Sequence, residues 1–417
     1  MKDRAASLHR RVESLRVRIE TLSSLRTLVN LPPAHDITRR QWAVLELELA
    51  AVEKRLLARL NRGARAYLPQ AHDLGAARAL NSQLGDIELE MSRAFAFFDT
   101  YMDVLTQRHT PELGPLLAGC DALAWDGIHR AHPALAIVEP PLVYCDRGFG
   151  ASTLREGVAL PGRGTNPLPL IQIPYSRLKE KYNLTSVLHE VGHEAMVRLG
   201  LVAEWPKLLR AALARAGAPQ AVGDLYALWS SEIAPDFWTF CACGLASAGA
   251  IREIVGLPPA HAFRVSWTDP HPAPYLRALL AFDWCRQVWG RGVWDEWERE
   301  WLELYPLAGV APATRRLVSK AQTFIPAVGR VLLNTKHRTL NGQTLASLFD
   351  LSALAPSELR RVAAGAAGAL NLSGLAPAAH LAVFRLLKER GQLNEEALDN
   401  VMTRWLLRLA SRGSQRN

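Results

Sequence analysis

Two histidines four residues apart enclose a glutamate in the run His189-Glu190-Val191-Gly192-His193. On an α-helix, positions i and i+4 share a face, so both imidazoles can reach one metal ion while Glu190 is aimed at water beside it. That arrangement suits zinc-assisted hydrolysis, in which the metal acidifies water and polarises a carbonyl. Glu190 would take the proton from the attacking water and pass it to the leaving amine. The pattern demands a helix, and the neighbouring residues predict one. Asn183 offers an N-cap, Leu184, Val187, Leu188, Val191, Ala195 and Leu199 recur at helical spacing, and Gly200 suits the left-handed residue after the last turn.

Catalytic zinc takes three protein ligands and keeps one position open. A metzincin continuation would place glycine and histidine three and six residues after His193, where this chain has Met196 and Leu199, and the Ala-rich stretch around Leu213 has no acid in register. What does occur is a pair of acids, Glu232 and Asp236, again four apart, in an apolar and aromatic segment from Leu225 to Phe240. A carboxylate in such surroundings is costly unless paired or metal-bound. Glu232 is therefore the expected third ligand, and Asp236 the carboxylate that fixes a zinc histidine's tautomer. The alternative places Ser231 as the cap of a helix starting there, with Glu232 in its first turn and Pro235 forcing a kink or a helix start.

Further along, Asp269-Pro270-His271-Pro272-Ala273-Pro274 holds a histidine among prolines before an apolar helix that begins near Tyr275. His271 could donate to the oxyanion of a tetrahedral intermediate, with Asp269 or Arg277 positioning the loop; packing within the loop is the other reading. Upstream, Pro167 to Pro174 reads as a short strand that its prolines confine to a sheet edge, where an extended peptide could add. Ile171 and Ile173 on that strand, together with Tyr275, are the expected substrate-binding residues. The Gly148-Phe149-Gly150 and Gly162-Arg163-Gly164 stretches read as loops without the helix a phosphate-cradling turn requires.

In this order the motifs HExxH, ExxxD and HPxxxxR, spanning His189 to Arg277, resemble the core of the gluzincin endopeptidases related to the prenyl-protein and heat-shock membrane proteases. The resemblance implies that His189, His193 and Glu232 bind zinc, Glu190 is general base and acid, Asp236 stands behind the ligands, and His271 with Arg277 lies beside the cleft. The chain departs from that family at Pro235, where alanine is usual, and in the family's transmembrane helices, which it lacks.

The elements that must position these residues are mostly helical. The 417 residues, 49% hydrophobic and 21% charged, predict an α+β, predominantly helical protein in three regions. Residues 1–110 read as antiparallel helices. One carries a heptad-like seam of Leu8, Val12, Leu15, Ile19 and Leu22, which could also serve self-association, and a second runs through Trp42, Leu45, Leu49, Val52, Leu56 and Leu60. A break at Leu31-Pro32-Pro33 separates these two, and a third helix spans about Leu74 to Gln107. Residues 111–310 form the zincin-like core, with strands expected at Ala134–Cys145 and Pro167–Pro174. A buried helix from Phe237 to Ile251 follows, then a tryptophan face of Trp294, Trp297 and Trp301. Residues 311–417 read as helices broken at Asn341-Gly342, Ala355-Pro356 and Asn371 to Gly374.

Five scattered cysteines argue against a disulfide framework and for a reducing, cytoplasmic setting, and Cys241 and Cys243 read as small buried side chains rather than ligands. No signal peptide or transmembrane run of 18 apolar residues is present. The net charge of +9 comes with arginines clustered near both ends. They are interspersed with glutamates and accompanied by no nucleic-acid motif, so an acidic protein partner competes with nucleic acid as their target. The reading is a zinc peptidase acting on peptides or proteins. Its alternative is a helical regulatory protein that retains the zinc site without turnover.

Overall fold

The heptad-like seam near the N-terminus is buried along its whole length. In the computed structural model, which describes residues 2–22, 25–32, 35–136, 140–148, 150–159, 165–364, 372 and 374–414, the chain forms two compact units. The first comprises Met1–Ala118, Leu154–Leu170 and Ala410–Asn417. Its body is three long helices, Lys2–Glu20, Arg39–Tyr67 and Leu74–Thr106. Leu8, Val12, Leu15, Ile19 and Leu22 pack with Leu56, Leu60, Leu80, Leu84, Ile87 and Met91 in one buried cluster. Burying each such leucine stabilises by about 1.5–3 kcal/mol. The seam's apolar face is thus consumed within the unit, which removes it as a self-association surface. Thr38 opens the second helix with a capping box, accepting from Gln41 N while Gln41 Oε1 accepts from Thr38 N. Asp73 caps the third by accepting from Ala76 N at 2.8 Å. Of the predicted break, Pro33 lies outside the described residues.

The second unit, Gly119–Thr153 and Ile171–Leu409, takes in the helices that carry the HExxH and ExxxD motifs and most of the C-terminal region. Helix Pro377–Glu389 packs on Leu245–Ile254 and Gln220–Cys243, so the helices after residue 311 share a unit with the motif helices. Trp294, Trp297 and Trp301 line the buried face of Val293–Leu304, as their spacing predicts. Asn341 and Gly342, both at positive φ, separate two short paired strands, Lys336–His337 and Gln343–Thr344. Asn371 lies outside the described residues, as do Phe149 and 160–164 of the expected glycine loops.

Strand content is small and differs from expectation in two places. Of the expected strand Ala134–Cys145, only Leu142–Asp146 is extended; Pro133–Ala136 is a helical turn, and 137–139 lie outside the described residues. Proline at the first position of that turn favours helical φ and lacks only a donor the turn does not need. Leu170–Pro174 is the central strand of a three-stranded sheet, flanked by Leu142–Asp146 and Ser152–Leu154, and not an edge. Pro174 ends the strand, so no ladder bond is lost inside it. Ile171 and Ile173 are buried there, and both sides of their backbone face neighbouring strands. They are not available to add a substrate peptide, which corrects their assignment as substrate-binding residues.

The expected helix Phe237–Ile251 is two helices. Gly244, at φ +56, ends Gln220–Cys243 and starts Leu245–Ile254. A Cβ there would meet Trp289 at 3.1 Å and Leu354 at 3.3 Å, so both backbone angle and space require glycine. Among the described residues no helix is long and apolar enough to cross a membrane. All five cysteines are buried, and among the described residues they form no disulfide.

Candidate metal centre

His189 and His193 stand on the helix Thr185–Arg198, here the histidine helix. Its apolar side buries Val187, Leu188, Val191 and Ala195. Gly200 (φ +69) closes it as predicted, with Leu201 N donating to Met196 O at 2.9 Å and Gly200 N to Val197 O at 3.0 Å. The N-terminus differs from expectation. A 3-10 turn, Lys181–Asn183, runs into the helix, and the cap position is Leu184. Asn183 Oδ1 instead accepts from Arg385 Nη2 at 2.9 Å. Arg385 is fully buried and also donates to Glu253 Oε1 at 2.7 Å. A long-range partner thus claims the side chain that local sequence offers as a cap.

Glu232 and Asp236 stand on Gln220–Cys243, the glutamate helix, which passes through Pro235 without stopping. Glu232 is therefore in mid-helix, and the reading of Ser231 as a cap is overturned. Two physical reasons are visible. From Val222 to Cys243 only Ser231 is exposed, so burial of almost every side chain outweighs the proline penalty. The carbonyl deprived of its i+4 donor belongs to Ser231, where water can serve it.

The two helices meet at glycine. A Cβ on Gly192 would lie 2.8 Å from Pro235 Cα and 3.1 Å from its carbonyl oxygen. On the other flank, a Cβ on Gly127 would lie 2.7 Å from Leu188 Cδ2. Backbone contact at Gly192 brings Glu232 and Asp236, which bracket Pro235, to the two histidines. Gly192→Ala should therefore cost about 1–3 kcal/mol by overpacking and weaken zinc binding together with thermal stability. A melting temperature and a zinc dissociation constant both equal to those of the unaltered chain would contradict this packing.

Glu232 Oε2 lies 3.2 Å from His189 Nε2 and 3.6 Å from His193 Nε2. One donor atom from each of the three residues falls within 4.8 Å of the others. Ligands about 2.0–2.2 Å from a tetrahedral zinc stand roughly 3.3–3.6 Å apart, and these two separations lie close to that range. The imidazoles meet edge to face, with ring centroids 4.9 Å apart. His189 Nδ1 is 2.8 Å from Asp236 Oδ1. With a metal on Nε2, an acceptor-only carboxylate this close to Nδ1 would favour the ring proton there and leave the Nε2 lone pair to the metal. Arg277, on the helix Pro274–Trp289, donates Nε to Asp236 Oδ2 at 2.6 Å and Nη2 to Oδ1 at 2.8 Å.

The electrostatics favour a cation. Burial pulls the His189 pKa down, yet Asp236 and Glu232 outweigh it and raise the group to about 10. Burial pushes Asp236 up, but Arg277 and His189 hold it down at about 2. Glu232 is likewise held well below the usual carboxylate range by the two imidazoles, against the effect of its burial. A proton retained so firmly marks an excess of negative charge, and a divalent ion can take that proton's place. Glu190 is buried, and its pKa is raised by burial, with both histidines opposing the shift.

His271 Nε2 approaches Glu232 Oε2 at 3.6 Å, while its Nδ1 is 2.7 Å from Asp269 Oδ1. Arg264 Nη2 in turn donates to Asp269 Oδ2 at 2.7 Å. Asp269, rather than Arg277, therefore orients this loop. Side-chain exposure rises from His189 (14%) through His193 (24%) to His271 (55%), so solvent reaches the cluster from the His271 side. Tyr275 is elsewhere. It is buried against Phe263 and donates its hydroxyl to Gln322 Oε1 at 3.1 Å, which corrects its assignment to substrate binding. Sequence reasoning missed Gly192 and Arg385. The glycine inside the HExxH run was a visible signal; nothing local marks Arg385. The chain matches no family model, no curated protein and no solved structure, so what its residues can do rests on this geometry.

Proposed function

We propose that this protein is a zinc-dependent peptidase with a zincin-like core, holding one zinc ion through His189, His193 and Glu232. The carrying observation is the approach of Glu232 Oε2 to both Nε2 atoms while Asp236 and Arg277 fix the first imidazole from behind. Zinc, when bound, supplies a Lewis acid that polarises a peptide carbonyl and acidifies water. The remaining steps belong to the chain. Glu190, with its proton affinity raised by burial, takes a proton from the attacking water and releases it to the leaving amine, which needs a carboxyl titrating nearer neutrality than a free glutamate. His271, its Nδ1–H oriented by Asp269 and its ring exposed at the entrance, would donate Nε2–H to the carbonyl oxygen as charge builds there when the imidazole carries both ring protons. The buried Asp236–Arg277 pair keeps the His189 ring from turning. Peptide or protein substrate enters from the His271 side. Chelator-treated protein should fail to cleave an unfolded protein substrate and recover on addition of zinc. Zinc-loaded protein that cleaves neither unfolded proteins nor a mixed peptide library would overturn the proposal.

A further inference from the structure

The arginines of the N-terminal unit are unevenly neutralised. Midway along the three-helix bundle they are paired. Arg18 donates to both carboxylate oxygens of Glu88 at 2.9 Å, Arg55 to Glu90 at 2.9 Å, and Arg59 also to Glu90. At one end of the bundle most are not. There, Leu8 of the first helix shares a buried cluster with Leu60, Ala71 and Ala77, and Ala5, Ala64 and Leu68 pack against it, while Arg11 donates to Asn81 and Arg16 to Asn61, so residues 4–16 run beside 61–81. These two stretches contain seven arginines (Arg4, Arg10, Arg11, Arg16, Arg62, Arg65 and Arg78) and two acids, Asp73 and Glu13, the latter 3.5 Å from Arg16. Asp73 is occupied as a helix cap, accepting from Ala76 N. Arg11 donates to the neutral Asn81 at 2.6 Å. Arg4, Arg10, Arg62, Arg65 and Arg78 are exposed, and among the described residues no carboxylate pairs with them.

A solvent-open face of this part of the second helix presents Ala58, Asn61, Arg62, Arg65 and Ala66 side by side. We propose that this basic tip docks an acidic polypeptide segment, with Arg62 and Arg65 gripping two carboxylates of the partner. The two arginines are three apart on one helix and lie side by side. Their planar guanidinium forks accept carboxylates in bidentate fashion, and the methyl groups of Ala58 and Ala66 leave room for the apolar stems of the partner's glutamates. A helical partner with glutamates one turn apart presents its charges at the matching spacing. Among the described residues no exposed Phe, Tyr or Trp stands in the two stretches, so the large rings on which single-stranded nucleic acid stacks are missing there. This proposal is independent of the zinc site.

The test uses the full chain and a fluorescent helical peptide with glutamates one turn apart in an alanine background, alongside its glutamine counterpart. The glutamate peptide should bind with an affinity that falls as salt is raised, and the glutamine peptide should not bind. Arg62→Glu/Arg65→Glu should weaken binding by at least about tenfold with unchanged thermal melting. Arg315→Glu/Arg316→Glu, the same charge change on a helix of the other unit, should leave binding intact. Should the first double variant fold poorly, Arg62→Gln/Arg65→Gln should show the same loss in smaller degree. Absence of binding, equal loss in both charge-reversed variants, retention in the Arg62/Arg65 variants, or tighter binding of duplex DNA or anionic vesicles than of the peptide would overturn the proposal.

Discussion

Replacing Glu190 by glutamine should abolish hydrolysis while leaving zinc content unchanged. Glutamine preserves shape and hydrogen bonding but cannot take up a proton, and general acid–base groups contribute about 10²–10⁴-fold to rate. Because Glu190 would serve both the attacking water and the leaving amine, a loss toward the upper end of that range is expected. Glu190 stands beside His189 in sequence but is absent from the cluster of potential ligands His189, His193 and Glu232. Zinc affinity should therefore change little. Turnover is measured with an unfolded protein substrate, and zinc by metal analysis of the same sample. A Glu190→Gln variant that cleaves as fast as the unaltered chain would remove the assigned base; one that loses zinc would move Glu190 into the ligand set.

Arg277→Met should be among the most destabilising single changes in the second unit. It leaves Asp236, which is buried and holds His189 from behind, without the guanidinium that donates to it twice. Breaking a buried ion pair from one side costs about 3–5 kcal/mol, because the remaining charge stays buried. The pH dependence has a definite sign. In the unaltered chain Asp236 is held at about 2, below its value of about 3.9 in an unfolded chain. Its contribution to stability is thus present above the unfolded value and disappears as pH falls through about 2. In the variant Asp236 keeps only His189 as its ionic neighbour, so its pKa rises and the penalty is greatest at neutral pH. Denaturant unfolding across pH should show the gap between the two proteins narrowing as acid is added. Zinc affinity should fall about 10–100-fold, as for other groups that orient metal-binding histidines. A gap that widens in acid, or unchanged zinc affinity, would show that Asp236 and Arg277 do not support His189.

Much of this site was legible because its signals are local. The i, i+4 spacing of His189 with His193, and of Glu232 with Asp236, needs only helical geometry, and Gly200 marks the end of the histidine helix without reference to distant residues. The buried seam from Leu8 to Leu22 and the Trp294, Trp297, Trp301 face were legible for the same reason. What was not legible depends on partners far away in sequence. Pro235 looks like a break until nearly every side chain around it is seen to be buried. Asn183 looks like a cap until Arg385 takes its side chain. Strand order is set by pairing, not by composition, so the proline-rich Leu170–Pro174 strand could sit centrally with its prolines at or outside its ends. Tyr275 stood near the motifs in sequence, but its ring is drawn into the Phe263 packing.

The centre itself is tested most directly by zinc titration of metal-stripped protein, comparing the unaltered chain with Glu232→Ala and His193→Ala. Three protein ligands and a fixed His189 tautomer should give about one tightly bound zinc per chain. Either substitution should remove tight binding while the helical circular dichroism is retained. Full-affinity zinc binding by Glu232→Ala would contradict the account, because no cage closed by that carboxylate could then hold the metal.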